Sequence, residues 1–146
     1  LLYLLEQGWD HARLETLLYR QSGLLGVSGI SADMRRLRAD ASEAAQRAIG
    51  QFTHRVVREC GALTACVGGL DVLAFSGGIG EHDAALREDV CARLGYLGMH
   101  LDPALNAQAT GTRTLAIHAP GSAVEVWVVP TDEGRVAAAE AARLLA

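Results

Sequence analysis

The chain has 146 residues, half of them hydrophobic and 21% charged, with a net charge of −4. That length and composition suit one folded domain with a real core, over residues 1–146, and exclude a disordered chain. The slight acidity, with no dense Lys/Arg cluster, points away from nucleic acid and from an anionic membrane surface, both of which need clustered positive charge.

Residues 1 to 20 read as helix with a break near Gly8. Leu14, Leu17 and Leu18 form its apolar stripe, and Asp10 is a candidate cap for the second piece. The opening Leu1-Leu2-Tyr3-Leu4-Leu5 meets Glu6 too soon to span a bilayer and has no basic flank, so neither a span nor a signal peptide is expected. The chain starts on leucine, not methionine, as expected of a piece of a longer protein. Ser22 to Gly29 is glycine- and serine-rich and reads as an apolar, packed loop. A short helix then starts near Met34, capped by Ser31 or Asp33. From Ser42 to Val67 apolar residues recur at three- and four-residue spacing, the longest helix of the chain. Gly50 and Gly61 would each weaken it by about 1 kcal/mol relative to Ala, so close packing against a neighbour is expected at both.

Gly68-Gly69 leads into Leu70–Phe75, a short apolar run with the pattern of a strand covered on both faces. Gly77, Gly78 and Gly80 follow as a turn that lets the backbone approach a ligand. Asp83 is placed to cap the next helix, where Leu86, Val90 and Leu94 share a face. A glycine turn feeding a helix N-terminus suits a phosphate, although GGxG is neither the dinucleotide fingerprint nor the Walker loop. Gly98 to Pro103 reads as a turn. Thr114–His118 and Ala123–Val129 are strands separated by Pro120-Gly121, the second valine-rich and therefore central. Pro130-Thr131-Asp132-Glu133 closes it, and residues 134–146 form a last helix, with Thr131 as its expected cap. Helices alternate with strands, so the class is α/β with helices packed on a small sheet. Cys60, Cys66 and Cys91 form no CxxC pair and read as free buried thiols of a reducing compartment, the cytoplasm.

Three separated motifs then carry a resemblance. The stretch from Leu70 to Gly98, through Phe75-Ser76-Gly77-Gly78-Ile79-Gly80-Glu81-His82 to Leu86-Arg87 and Val90, resembles the D-x-[IL]-[VA]-F-[ST]-G-G-I-G-E-N-x-x-x-[VI]-R-x-x-V stretch of the acetate kinase family. Ser22 to Gly29 with Asp33-Met34-Arg35 resembles its SGLLGLSG…SxDMR segment, and Val128 to Glu133 its V-[IV]-P-T-[DN]-E. The resemblance covers the whole chain but only the C-terminal part of the family. It implies an actin/Hsp70/sugar-kinase-like nucleotide-binding domain and, in the full-length protein, phosphoryl transfer from ATP to acetate. Butyrate and propionate kinases are close relatives of the same pattern. The implied nucleotide-binding residues are Asp33, Met34 and Arg35 together with Gly78, Ile79, Gly80, Glu81 and His82. Glu133 is implied as the Mg2+ residue, and ATP/ADP, Mg2+, a small carboxylate and a second copy of the chain as the partners. No catalytic residue is implied, because the family's acid, histidines and carboxylate-gripping arginines precede this segment, and the isolated chain is expected to be inactive. His82 stands where the family has Asn, and Gly134 where it has an acid. The acids Glu81 and Asp83 would repel a bare triphosphate, which points them toward capping or base and ribose contacts. A truncated module that dimerises is the non-enzymatic alternative. A dinucleotide oxidoreductase is disfavoured by the glycine spacing.

Overall fold

The computed structural model describes residues 1–145, apart from the side chains of Glu133, Val136 and Ala137. The chain divides into two compact units, Leu1–Val56 and Val57–Ala146.

The first unit is helical. Leu2–Glu6 (α1) and His11–Arg20 (α2) are separated at Gly8, and the Asp10 carboxylate accepts the Arg13 N–H at 2.8 Å to start α2. Gly23–Ser28 is a helix, α3, and not the loop expected from its composition. Met34–Arg38 (α4) starts at Asp33, and the long helix Glu43–Val67 (α5) starts at Ser42, whose hydroxyl accepts the Ala45 N–H. Leu14, Met34, Leu37, Ala45, Ala48 and Ile49 are buried, as the apolar spacing requires.

The second unit is built on a three-stranded sheet in the order β1 (Val72–Phe75), β3 (Glu125–Val128), β2 (Leu115–Ala116). β1 pairs parallel with β3, Phe75 opposite Val128, and β2 pairs antiparallel with it. The valine-rich strand is thus central, with Val124, Val126 and Val128 buried. β1 departs from expectation. It is an edge strand, its exposure alternates, and Val72 is 50% exposed while Phe75 is buried. An unbroken apolar run does not distinguish a strand covered twice from one covered once.

After β1 come Gly77–His82 (α6), Ala84–Arg93 (α7), a 3-10 turn at Gly95–Leu97, and Pro103–Gln108 (α8). Leu86, Val90 and Leu94 are buried along one face of α7, as their spacing predicts. α8 was not foreseen. Its signal is Asp102-Pro103, an N-cap followed by proline at the first helical position, with the Asp102 carboxylate accepting from Ala104 and Leu105. Glu133–Leu145 is the final helix, α9. Its cap is Asp132, whose carboxylate accepts the Arg135 N–H at 3.1 Å, and not Thr131. Among the described residues no helix is long and apolar enough to cross a membrane.

The thiols are all free, but only Cys91 is buried, its pKa pushed up by that burial to about 12. Cys60 is half-buried and Cys66, in the last turn of α5, is exposed.

Gly50 has no close neighbour, against expectation: a Cβ built there meets nothing within 4 Å. Gly50→Ala is therefore expected to stabilise the chain by about 0.5–1 kcal/mol through helix propensity alone, measured as a higher urea midpoint at unchanged slope. A lower midpoint would mean that something packs on that face in solution.

Candidate functional site

The chain leaves β1 at Ser76, whose hydroxyl donates to the Val129 carbonyl at the end of β3 (2.8 Å). Gly77 follows at φ +72°, a left-handed conformation that a side chain resists. The glycines do not precede the expected helix as an open turn. They form α6 themselves, and Asp83 then caps the separate α7, its carboxylate accepting the Leu86 N–H at 2.9 Å.

Glu81, 7% exposed, turns its carboxylate back beneath this turn. One oxygen, Oε1, accepts the Gly77 N–H (2.9 Å), the Thr131 N–H (2.9 Å) and the Thr131 hydroxyl (3.0 Å). The carboxylate thereby ties the end of β1 to the segment following β3. The Thr131 N–H, with the Thr131 hydroxyl and Gly77 N–H adding to it, holds the Glu81 carboxyl below its ordinary pKa against the opposing effect of burial. Thr131 does not cap α9 because the helix begins at Glu133, which puts Asp132 at the cap position.

Behind the turn lies Arg87, with no exposed surface. Its Nε donates to the Asn106 side-chain oxygen at 2.7 Å. Nη1 donates to the carbonyls of Gly80 (2.8 Å) and Glu81 (2.9 Å), and Nη2 to those of Asn106 and Ala109 (both 2.9 Å). All five guanidinium N–H groups are used, every one on a neutral oxygen. Burial pushes the guanidinium pKa down, opposed by the nearby Asp83. The Asn106 amide donates onward to the Ala84 carbonyl at 2.9 Å. The arginine thus closes the carbonyl ends of α6 and α8 together. Gly111, at φ +74°, completes the surround: a Cβ there would lie 2.7 Å from the His82 ring and 3.0 Å from Glu81.

An open polar cleft of about 410 Å3 results, lined by Gly77, Gly78, Glu81, His82, Thr131 and Asp132. A Cβ at Gly78 would project into free space, so its backbone is open to a ligand. Of the five residues that the motif singles out, Gly78, Glu81 and His82 line this cleft, and Ile79 and Gly80 are not among its lining residues. Thr131, expected only as a helix cap, and Asp132, expected only in the turn closing the central strand, line the cleft as well. The proposed metal residue Glu133 opens α9 directly after Asp132, but its side chain lies outside the described residues. Among the described residues no three His, Cys, Asp or Glu side chains gather into a metal cluster. That is compatible with Mg2+, which needs only one or two protein carboxylates beside phosphate oxygens and water.

Asp33, Met34 and Arg35 lie in the first unit. The Asp33 carboxylate accepts the Arg35 N–H (2.9 Å) and grips the same residue's guanidinium through Nε (3.2 Å) and Nη2 (2.9 Å). This side-chain hydrogen bond lowers the Asp33 pKa and raises that of Arg35. Arg35 is exposed, whereas Met34 is buried in the core, which leaves only its backbone for a ligand.

Comparison with known proteins identifies the family. The Acetokinase family model matches residues 1–139. The chain belongs to the acetokinase family. It is 50% identical over 144 residues to the acetate kinase of Rhodopseudomonas palustris strain TIE-1, covering 98% of this chain and 36% of that one. Against the acetate kinase of Thermosynechococcus vestitus it is 42% identical over 148 residues, covering 99% of this chain and 35% of the relative. The chain therefore spans little more than a third of these acetokinase relatives. Among solved structures, Entamoeba histolytica acetate kinase superposes with a TM-score of 0.88 at 29% identity, over 98% of this chain and 38% of that one. The Porphyromonas gingivalis acetate kinase gives 0.84 at 35% identity, over 99% and 37%. A Francisella tularensis propionate kinase gives 0.73 at 33%, over 87% and 32%. The α/β architecture expected from the resemblance is thus the acetokinase one, helical with a small mixed sheet.

Two outcomes follow from the staple and its cover. Gly111→Ala combines a disfavoured backbone with a collision at the His82 ring, and is expected to cost about 1–3 kcal/mol, read by urea denaturation. A neutral result would mean that the 110–113 turn moves freely away. The lowered Glu81 pKa adds stability that is present above the ordinary carboxylate range and is lost as pH falls through the folded value. Wild type is therefore expected to lose more stability than Glu81→Gln on acidification to that range. Identical pH dependence in the two would remove the carboxylate from the account.

Proposed function

We propose that this acetokinase segment forms the nucleotide side of a carboxylate kinase site, with acetate as acceptor and propionate or butyrate as the alternatives. In that reaction a carboxylate oxygen attacks the γ-phosphorus of ATP. The bond from that phosphorus to the bridging oxygen breaks, and ADP leaves with the electron pair. The attacking carboxylate is already an anion, so the reaction asks for alignment and charge neutralisation and not for a strong base. Mg2+, when bound, supplies much of the neutralisation, and Glu133 is the residue proposed to hold it.

The observation that carries the reading is the open backbone at Gly78 above a turn stapled by Glu81. Gly78, Ile79, Gly80 and His82 contact the nucleotide chiefly through main-chain groups, with His82 offering one ring donor or acceptor. Glu81 contributes mostly by shaping that backbone, since its Oε1 already accepts three hydrogen bonds. Arg35 presents a flat guanidinium for a base or phosphate, held in place by Asp33. The relatives support the reaction class, two of the solved neighbours being acetate kinases and one a propionate kinase.

The exposed apolar residues Leu1, Leu2, Tyr3 and Tyr19 support association, with a second copy as the proposed partner. The free thiols favour a cytoplasmic setting.

The isolated chain is expected to bind MgATP weakly and to make no acetyl phosphate. An NMR titration of the 15N-labelled chain with MgATP should shift the amides of Gly78 to His82 first. Shifts confined to other regions would remove the nucleotide from this cleft, and acetyl phosphate formation by the purified chain would overturn the division of labour.

A further inference from the structure

The buried polar cluster behind the glycine turn is not used by the nucleotide contacts proposed above. Arg87 is fully buried, yet none of its five hydrogen bonds goes to a carboxylate. Burying a guanidinium away from water is costly, and an apolar side chain of similar volume would leave the oxygens it serves without that donor. What the guanidinium does that an apolar group cannot do is hold peptide planes in a set orientation. Two of its acceptors are the carbonyls of Gly80 and Glu81, inside the stretch that lines the cleft. The peptide group is planar, so fixing the Gly80 carbonyl fixes the Glu81 N–H, and fixing the Glu81 carbonyl fixes the His82 N–H. Both bonds also set the Glu81 backbone from which its carboxylate reaches Gly77 and Thr131.

Asn106 is the other half of the device. Its side-chain oxygen accepts from Arg87 Nε, its own carbonyl accepts from Nη2, and its amide donates to Ala84 at the start of α7. The fork of the arginine is thereby held in one plane by a residue on α8, well downstream of any motif.

We infer that Arg87 and Asn106 are positioning residues, which hold the peptides of Gly80 and Glu81 so that the cleft keeps its nucleotide-accepting shape. The inference rests on the nucleotide reading of the cleft. It predicts that the cluster matters to affinity in the folded protein and not to stability alone.

The test is the MgATP titration followed by NMR on wild type, Asn106→Ala, Asn106→Asp and Arg87→Lys, with Val124→Ala as control. Val124 is buried in the same unit but does not line the cleft. Asn106→Ala is expected to weaken MgATP binding roughly tenfold or more through displaced backbone. Arg87→Lys, which keeps the charge but not the fork, is expected to do the same and stands in if Asn106→Ala does not fold. Asn106→Asp keeps an oxygen facing Arg87 but gives up the donor to the Ala84 carbonyl, and should recover the affinity only in part, ending above Asn106→Ala and below wild type. An affinity no higher than that of Asn106→Ala would count against the contact with Arg87. Val124→Ala should lower thermal stability with affinity unchanged. Wild-type affinity in Asn106→Ala or Arg87→Lys, or equal weakening in Val124→Ala, would reduce the cluster to a stability device and overturn the inference. A wild-type chain without MgATP shifts at Gly78–His82 would overturn the nucleotide reading and the inference with it. The wild-type titration by itself tells the two failures apart.

Discussion

The second unit depends on one buried cation. Arg87 reaches from α7 to the carbonyl ends of two other helices, and α6 and α8 are both too short to be stable alone. Each leaves unpaired carbonyls at its end, and burying those without donors would cost on the order of 1–3 kcal/mol apiece. One guanidinium satisfies four of them, together with the Asn106 side-chain oxygen. The helix that supplies it is anchored by Leu86, Val90 and Leu94 in the core. The apolar face of α7 therefore places a polar junction at the back of the cleft.

The front of the cleft follows from sheet topology. β1 and β3 run parallel with Phe75 opposite Val128, so the chain leaves both strands at the same end. Ser76 bonds Val129, and Glu81 then gathers Gly77 and Thr131 onto one oxygen. An antiparallel pair would have sent the two exits to opposite ends and left no shared site. Open α/β sheets bind ligands at the carboxyl ends of parallel strands for this reason.

Much of this was legible in the residues, and the rest was hidden for identifiable reasons. The breaks at Gly8 and Gly68-Gly69, the caps Asp10, Asp33 and Asp83, and the central position of Glu125–Val128 follow from local chemistry and are found. The apolar Ser22–Gly29 stretch was read as loop because its glycines outweigh its pattern, yet six of its residues form α3. Glycine propensity is a weak prior that packing overrides. The one-sided exposure of β1 depends on what lies beside the strand, which an apolar run does not report. The Arg87 cluster was invisible because its acceptors are backbone carbonyls, and a carbonyl has no letter in the sequence. Arg87 itself stands at the arginine of the family's N-x-x-x-[VI]-R pattern, but that pattern does not say that the residue is buried, and nothing local marks Asn106 as its partner.

The acids resolve a difficulty that charge alone raises. The cleft proposed for a nucleotide sits near Glu81, Asp83 and Asp132, whose charge by itself would repel a polyanion. Each turns its carboxylate on the protein's own N–H groups: Glu81 on Gly77 and Thr131, Asp83 on Leu86, Asp132 on Arg135. Their charge is partly compensated by helix starts and by the donors they accept from. What remains toward the cleft at Gly78 is main chain without a side chain over it. Glu81 and Asp132 still line the cleft, and what makes them tolerable beside the proposed anionic ligand is that their carboxylates are already committed to the protein's own N–H groups. Asp33 follows the same rule in the first unit, where it caps α4 and holds the guanidinium of Arg35.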